Sequence, residues 1–280
     1  MPPSSSLELA FVDHPGGAPA VMALHGLAST SHWWDLVAPR LPSRLIAPDL
    51  RGHGLSPRPD DGFDPATVAL DVVALLDRLG ISEAVVVGHS WGATVATRLA
   101  VDHPHRVLGL ALVDGGIGDI RARFPGGWPE AEVALRPPDM VGVPAERIAE
   151  FGRRGPASEG TDPDTAAAIL GSLFEPVDPE HPEAGVRPRL RLERHMAIAR
   201  HLFETDTDAL LARVTVPVAA VLASVGPPEW VAGKREGAAR AQEILGDRLT
   251  VTWIDGGHDL PVQRPAEVAS ALMELIARCL

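Results

Sequence analysis

Residues 85–96 contain the pattern that most constrains how this chain can fold. Three valines at 85–87 precede the pentapeptide Gly-His-Ser-Trp-Gly at 88–92, and a segment rich in small, helix-compatible residues follows. This order predicts a buried strand, a tight turn and the start of a helix. The turn needs glycine on both sides of Ser90, because a Cβ there would collide with the adjoining strand and helix. We therefore expect the Ser90 hydroxyl at the apex, pointing out of the fold.

Two backbone amides near this turn are candidates for binding a developing negative charge. The Trp91 N–H lies at the predicted helix N-terminus, where unpaired amides and the helix dipole favour an anion. The Leu27 N–H follows Gly26 at the end of a predicted buried strand, and glycine lets backbone amides approach a site closely. We expect Leu27 and Trp91 to form an oxyanion hole. A plain strand-end turn is the alternative for Leu27.

Strand and helix patterns alternate between residues 18 and 113. The patterns predict strands over 7–12, 18–24, 45–47, 85–87, 107–113, 218–222 and 249–254, and helices over 31–41, 65–79, 91–101, 234–245 and 265–279. Such alternation implies a mostly parallel sheet with right-handed crossovers and helices on both faces. Ligands of such sheets bind outside the carboxyl ends of the strands, where His25, Asp49, Ser90 and Asp114 all lie.

The composition changes between residues 115 and 205. Prolines and glycines become frequent, the helical segments are short, and no strand pattern is present. We interpret residues 115–205 as a helical cap over the site, inserted into a core formed by 1–114 and 206–280. We expect the substrate pocket to be lined by Trp128, Met140 and Met196 from the cap and by His25, Trp33 and His89 from the core. For Trp33, packing in the core is the alternative.

Composition argues against several classes of partner and cofactor. The formal net charge is −12 and no long basic run is present, which disfavours nucleic acid and anionic membranes as partners. Cys279 is the only cysteine, so no internal disulfide is possible. The sequence shows no signal peptide, membrane span, metal motif or phosphate-binding glycine loop. We therefore expect a cytoplasmic monomer or homodimer without cofactor or metal that acts on a small molecule.

A second polar group, Asp49, Arg51 and His53, lies in a glycine-rich loop after the strand at 45–47. These residues can be interpreted as catalytic, but short polar clusters in such loops usually hold the loop through hydrogen bonds to the backbone. We favour the structural interpretation. His258 follows the last predicted strand on a Gly-Gly loop, again at a carboxyl end of the sheet.

Together these pieces resemble the α/β-hydrolase superfamily, in its serine-nucleophile branch with a helical cap. The matching segments are the turn at 25–27, the loop at 48–54, the pentapeptide at 88–92 and the pair Gly257-His258. The resemblance implies a mostly parallel central sheet with helices on both faces and an inserted cap. It also implies that Ser90 is the nucleophile and His258 the base of a triad in the chain order Ser, acid, His.

The resemblance leaves two positions for the triad acid. In most members the acid follows the strand that corresponds to 218–222, but residues 222–229 contain no aspartate here, and Glu229 is the candidate there. Other branches, the haloalkane dehalogenases among them, place the acid one strand earlier, where this chain has Asp114. We assign the acid to Asp114 and keep Glu229 as the alternative. Asp255 and Asp259 lie too close to His258 in sequence to brace its far ring nitrogen.

These residues predict hydrolysis of a small to medium, largely apolar ester, lactone or amide through an acyl-enzyme. A serine nucleophile disfavours dehalogenation and epoxide opening, which proceed through an aspartyl ester in the related branches. Two alternatives remain open. The same triad can support cleavage of a C–C bond, perhydrolysis or acyl transfer, or the chain can be a catalytically weak member that binds a ligand.

Overall fold

A seven-stranded sheet lies at the centre of the structure, a computed structural model that describes residues 6–280. Its strands are β1 (Phe11–His14), β2 (Gly17–Leu24), β3 (Ser43–Pro48), β4 (Ala84–His89), β5 (Val107–Val113), β8 (Val218–Ala223) and β9 (Leu249–Ile254). Two further strands, β6 (Phe174–Pro176) and β7 (Val186–Pro188), form a separate antiparallel hairpin. The spatial order of the sheet is β1-β3-β2-β4-β5-β8-β9, with β1 antiparallel and the other strands parallel.

The inner strands are apolar over most of their length because both faces of the sheet are covered. In β2, for example, Met22 and Leu24 pack into one hydrophobic cluster, whereas Val21 and Ala23 pack into a second cluster on the other face. Since side chains of a strand alternate between faces, a continuous apolar run is what a doubly covered strand requires. The sequence expectation of helices on both faces is confirmed.

Ten α-helices accompany the strands in the described part of the chain: α1 (Pro65–Arg78), α2 (Trp91–Asp102), α3 (Trp128–Ala134), α4 (Ala145–Arg154), α5 (Pro163–Gly171), α6 (Leu192–Glu204), α7 (Thr207–Leu211), α8 (Pro228–Leu245), α9 (Leu260–Gln263) and α10 (Pro265–Cys279). Helices α1, α2 and α8 contribute to the first cluster, and α10 to the second. Within residues 6–280 no helix combines the length and the apolarity needed to cross a membrane.

The crossing between β2 and β4 creates the crevice in which a site can form. From β2 the chain continues to β3, which lies next to β2 on one side, and α1 then leads it back to β4, which lies next to β2 on the other side. In an open α/β sheet, such a change of direction leaves a gap at the carboxyl ends of the two strands. The turn after β2 and the start of α2 after β4 face each other there.

Three sequence expectations about elements are wrong in detail. The first strand covers Phe11–His14 instead of 7–12, because antiparallel pairing with β3 begins at Phe11 while the Leu7 N–H donates to the Asp71 side chain. The segment 31–41 forms two short 3-10 turns, Ser31–Trp34 and Ala38–Arg40, instead of one helix. Helix α8 begins at Pro228, six positions before the predicted start, because proline suits the first turn of a helix.

Residues 115–205, which the sequence predicts to be an inserted cap, contain helices α3 to α6 and also the β6–β7 hairpin. The composition of this segment predicts no strand, and that prediction is wrong. Each strand of the hairpin has only three residues and ends in a proline, so the alternation that marks a strand is too short to detect.

Candidate active site

Ser90 occupies a strained turn between β4 and α2. Its backbone has φ 53° and ψ −121°, a left-handed conformation that side-chain-bearing residues rarely adopt. The Ser90 N–H donates to the Val113 carbonyl at 2.9 Å, which ties the turn to the end of β5. A Cβ on Gly88 would collide with the Gly92 backbone, and a Cβ on Gly92 would collide with the His25 carbonyl. The glycines are therefore required by close approach of backbone on both sides of the serine.

His258 lies in the loop after β9, with its ring against Ser90. The Ser90 Oγ is 3.0 Å from Nε2 of His258, and about half of the His258 side chain is exposed (53%). Two hydrogen bonds hold the loop: Nε2–H of His89 donates to the His258 carbonyl at 2.9 Å, and the Gly257 N–H donates to Gln263 Oε1 at 2.7 Å. The ring thus reaches the serine from an open side of the site.

Asp114 completes this chain of contacts from the end of β5. Its Oδ2 accepts from Nδ1–H of His258 at 2.6 Å, and its Oδ1 accepts from the Ala223 N–H at 2.9 Å. The side chain is fully buried (0% exposed). Burial alone would raise the pKa of Asp114, but the hydrogen bond and charge of His258 and the ammonium of Lys234 hold it below its ordinary value. A buried, ionised carboxylate therefore faces the far nitrogen of the imidazole.

Lys234 was not anticipated from the sequence. Its Nζ lies 2.7 Å from Oδ1 and 2.8 Å from Oδ2 of Asp114, and it also donates to the Ala223 carbonyl at 3.2 Å. The spacing of 120 residues between Lys234 and Asp114 gives no local pattern. The only signal is compositional, because Lys234 is the single lysine of the chain.

The other carboxylates considered for the acid lie elsewhere. Glu229 is exposed in the first turn of α8, and Asp255 is exposed at the end of β9. Asp259 is partly buried next to His258, and burial raises its pKa. Within residues 6–280 none of the three forms a hydrogen bond to the His258 ring, whereas Asp114 does.

The two backbone amides expected to form an oxyanion hole flank the serine. A Cβ on Gly26 would lie 3.2 Å from the Ser90 Cβ, so the turn that carries Leu27 runs directly beside the serine. Within residues 6–280, neither the Leu27 N–H nor the Trp91 N–H donates to a protein acceptor. Both amides are thus free to bind an anion that forms on a group attached to Ser90.

Backbone strain concentrates at this site. Within the described residues, three residues other than glycine have positive φ: Ala28 (55°), Ser90 (53°) and Asp114 (43°). They belong to the turn after β2, the turn between β4 and α2, and the end of β5. Conformations of this kind cost of the order of 1–3 kcal/mol each and persist where the surrounding structure imposes them, often at functional sites.

The two histidines expected to line a pocket are buried. His25 is fully buried, its Nδ1–H donates to the Gly26 carbonyl, and its Nε2 accepts from the Leu50 N–H. His89 is also buried, and burial together with the charge of His258 lowers its pKa to about 3. Trp33 is 6% exposed and stacks on His89 with ring centroids 6.2 Å apart. Because these three side chains are packed in the core, they have little surface left to contact a substrate.

The residues expected from the inserted segment are partly buried. Trp128 begins α3 and packs edge-to-face on Phe203, with the Arg200 guanidinium 4.9 Å from the Trp128 ring centroid. Met140 and Met196 are half-buried, in the loop before α4 and in α6. Their role in a pocket stays a prediction.

The polar loop after β3 is occupied by its own hydrogen bonds. Asp49 accepts from the Ser31 and Leu55 N–H groups at 2.8 Å each. Arg51 forms a bidentate ion pair with Asp71 at 2.6 and 2.8 Å, and both side chains are buried. Nδ1–H of His53 donates to the Arg51 carbonyl, while its Nε2 accepts from the Ala28 N–H. The cluster therefore fixes the loop and, through Ala28, the turn after β2.

A metal site is not apparent in the described part of the chain. No group of three or more His, Cys, Asp or Glu side chains within residues 6–280 is arranged to hold a metal ion. The chemistry available at the site is that of a hydroxyl, an imidazole, a buried carboxylate and two free amides.

Comparison with known proteins agrees with this fold. The family model described as alpha/beta hydrolase fold matches residues 19–140. Lipase LipV of Mycobacterium tuberculosis is 29% identical, over 92% of this chain and 93% of its own length. An epoxide hydrolase of Caballeronia sordidicola is 42% identical, but over only 36% of this chain and 33% of that protein. Among solved structures, E-2-(acetamidomethylene)succinate hydrolase superposes with a TM-score of 0.78 at 23% identity, covering 97% of this chain and 96% of that one.

The sheet order, the helices on both faces and these matches define an α/β hydrolase fold. This is the fold that the sequence motifs indicated.

Proposed function

We propose that this protein is a serine hydrolase that cleaves small to medium, largely apolar esters or lactones, with amides as a further class of substrate. One observation carries the proposal. An unbroken series of hydrogen bonds runs from the Ser90 Oγ through His258 to buried Asp114, with lengths of 3.0 and 2.6 Å. This is the arrangement by which a base activates a hydroxyl nucleophile and a carboxylate orients the base.

In the first half of the reaction, the Ser90 Oγ attacks the carbonyl carbon of the ester while His258 Nε2 takes its proton. The carbonyl oxygen becomes an oxyanion and accepts hydrogen bonds from the Leu27 and Trp91 amides. Loss of one such donor costs about 2.7–4 kcal/mol of transition-state stabilisation in comparable sites. The intermediate then expels the alcohol, which receives its proton from His258, and an acyl group remains on Ser90.

In the second half, water replaces the alcohol. His258 Nε2 takes a proton from the water as its oxygen attacks the acyl carbon, and the same two amides hold the second oxyanion. Ser90 leaves with the proton from His258, so the carboxylic acid is released and the enzyme is restored. Asp114 holds Nδ1–H throughout and stabilises the imidazolium that forms in both halves.

The identity of the nucleophile selects among the chemistries of the relatives. Epoxide opening and dehalogenation through a covalent aspartyl ester need a carboxylate at the position where this chain has Ser90. The match to the epoxide hydrolase from Caballeronia covers only about a third of each chain and gives no support for that activity here. The serine supports acyl transfer to water instead.

Pre-steady-state hydrolysis of p-nitrophenyl esters of increasing acyl length, with substrate in excess, tests the proposal, together with steady-state hydrolysis of a simple lactone. The wild type should show a burst of nitrophenol followed by turnover, and Ser90→Ala should lower kcat by about 10⁴-fold or more. Ser270→Ala, an exposed serine of α10, is the matched control and should behave as the wild type. Retained turnover in Ser90→Ala contradicts the proposal. Binding of the acyl compounds without turnover in the wild type contradicts it in favour of the ligand-binding alternative.

A further inference from the structure

The single lysine of this chain lies on the carboxylate of the triad acid. The sequence has 25 Lys and Arg residues, and every one except Lys234 is an arginine. Lys234 contacts both oxygens of Asp114, and its side chain is only 13% exposed. A serine triad requires a serine, a base and an acid, but it does not require a cation on the acid. The ion pair therefore calls for an explanation of its own.

The geometry explains why an ammonium occupies this position. Lysine presents a compact charge with three donors, whereas arginine presents a wide planar fork. Here the donors are shared between the Asp114 carboxylate and the Ala223 carbonyl. Ala223 also donates its own N–H to Asp114. Lys234 thereby fixes the carboxylate to the end of β8, the strand after which most family members carry the acid itself.

The charge of Lys234 acts on both titrating members of the triad. A buried carboxylate beside a neutral imidazole lacks a full countercharge, and the ammonium supplies one. The ammonium and the His258 ring also share the Asp114 Oδ2, at 2.8 and 2.6 Å. Because the ammonium already balances the charge of Asp114, the carboxylate stabilises a protonated His258 less than it would alone. Both effects favour the pair that can act as a base, an ionised Asp114 with a neutral His258.

We propose that Lys234 is a positioning residue that extends the working range of the Ser90–His258–Asp114 triad to more acidic pH, an inference that rests on the proposed function. The ammonium of Lys234 holds Asp114 in place. It also keeps the His258 ring able to accept the serine proton at pH values at which the ring would be protonated without the lysine.

The other charged groups around Asp114 do not replace this lysine. His89, from the end of β4, is neutral because its pKa is lowered to about 3. Burial lowers the pKa of Arg123, and the charge of Asp114 raises it; its guanidinium stacks on Trp230 at 4.0 Å. Asp259, on the His258 loop, has its pKa raised by burial. Within residues 6–280, Lys234 and His258 are the only side chains that bond to the Asp114 carboxylate.

The pH dependence of kcat/KM for ester hydrolysis tests the inference. Lys234→Met and Lys234→Gln remove the charge, and the second retains a hydrogen-bond donor. In both, the acid limb of the profile should move to higher pH by about one unit, as expected for removal of a cation near a titrating base. Lys234→Arg keeps the charge and should retain an acid limb near that of the wild type. Arg240→Met breaks the Arg240–Asp208 ion pair, which α8 makes with α7, and serves as the matched control with an unchanged profile.

Titration of the His258 ring by NMR in the unliganded protein gives a second readout that does not require turnover. Its midpoint should move in the same direction in Lys234→Met and Lys234→Gln, with thermal unfolding used to show that each variant is folded. Unshifted midpoints and superimposable profiles would overturn the inference while leaving the proposed function intact. If the proposed function is wrong, turnover will persist in Ser90→Ala. The NMR titration would then still test the role of Lys234.

Discussion

Two polar clusters lie at the carboxyl edge of the sheet, and they differ in how their hydrogen bonds are used. The loop cluster consists of Asp49, Arg51 and His53, which are between 1% and 5% exposed, and its hydrogen bonds all run to backbone or to buried Asp71. The triad cluster consists of Ser90, His258 and Asp114. In it only the acid is fully buried, and the Ser90 hydroxyl and half of the His258 side chain remain accessible.

The difference shows that residue type alone does not mark a catalytic group. Both clusters contain aspartate and histidine in glycine-rich loops. In the loop cluster each donor and acceptor is satisfied within the fold, so a substrate would have to displace an internal partner at a cost of about 1–3 kcal/mol per bond. In the triad cluster the bonds end on the partly exposed Ser90, and the Leu27 and Trp91 amides beside it donate to no protein acceptor within residues 6–280. The first cluster stabilises a loop, and the second is organised toward an external molecule.

Asp114→Asn should produce the largest effect in this comparison. An amide at position 114 no longer holds the Nδ1–H tautomer of His258, so kcat for ester hydrolysis should fall by about 10⁴-fold. Stopped-flow assays on folded protein measure the loss, with Glu229→Gln as the matched carboxylate control. Should Asp114→Asn lose less than about tenfold while Glu229→Gln loses more, the acid role would move to Glu229.

Arg51→Met should have the opposite effect, large on stability and small on catalysis. Removal of the guanidinium leaves the buried Asp71 carboxylate without its bidentate partner, and breaking a buried pair in this way costs about 3–5 kcal/mol. Denaturant unfolding measures the free energy, and kcat of the folded fraction should stay near that of the wild type.

The double variant Arg51→Met with Asp71→Asn removes both charges together and should recover part of the lost stability. Arg44→Met is the surface control, because the Arg44–Asp13 pair is about a third exposed and its loss should cost less than about 1 kcal/mol. A kcat that falls with Arg51→Met as strongly as with Asp114→Asn would remove the distinction between the two clusters.

Local patterns made the fold and the core of the site predictable from the sequence. The strand, turn and helix around Ser90 are encoded within a dozen residues, and the position of Asp114 follows from a family resemblance. Lys234 was missed because its partner is 120 residues away and because the predicted helix began at residue 234, so the first turn of α8 and the face it presents to Asp114 were not defined. The β6–β7 hairpin was missed because three-residue strands carry too little alternation.

A smaller effect than that of Arg51→Met is expected at the ion cluster that joins Glu175, in residues 115–205, to Arg58. Burial would raise the pKa of Glu175, but the hydrogen bond and charge of Arg58, with Arg187 and Arg191, lower it to about 2. A carboxyl whose pKa is lowered on folding stabilises the protein at any pH above its pKa in the unfolded state. That contribution is lost as the pH falls toward its pKa in the folded state. Because Glu175 is partly exposed, Glu175→Gln should cost about 1–2 kcal/mol at neutral pH. The difference between wild type and variant should shrink between about pH 4.5 and pH 2, as unfolding titrations would show. Glu183→Gln, at an exposed pair with His181, is the matched control; equal effects of the two variants at neutral pH would mean that the arginines around Glu175 contribute nothing to holding the segment in place.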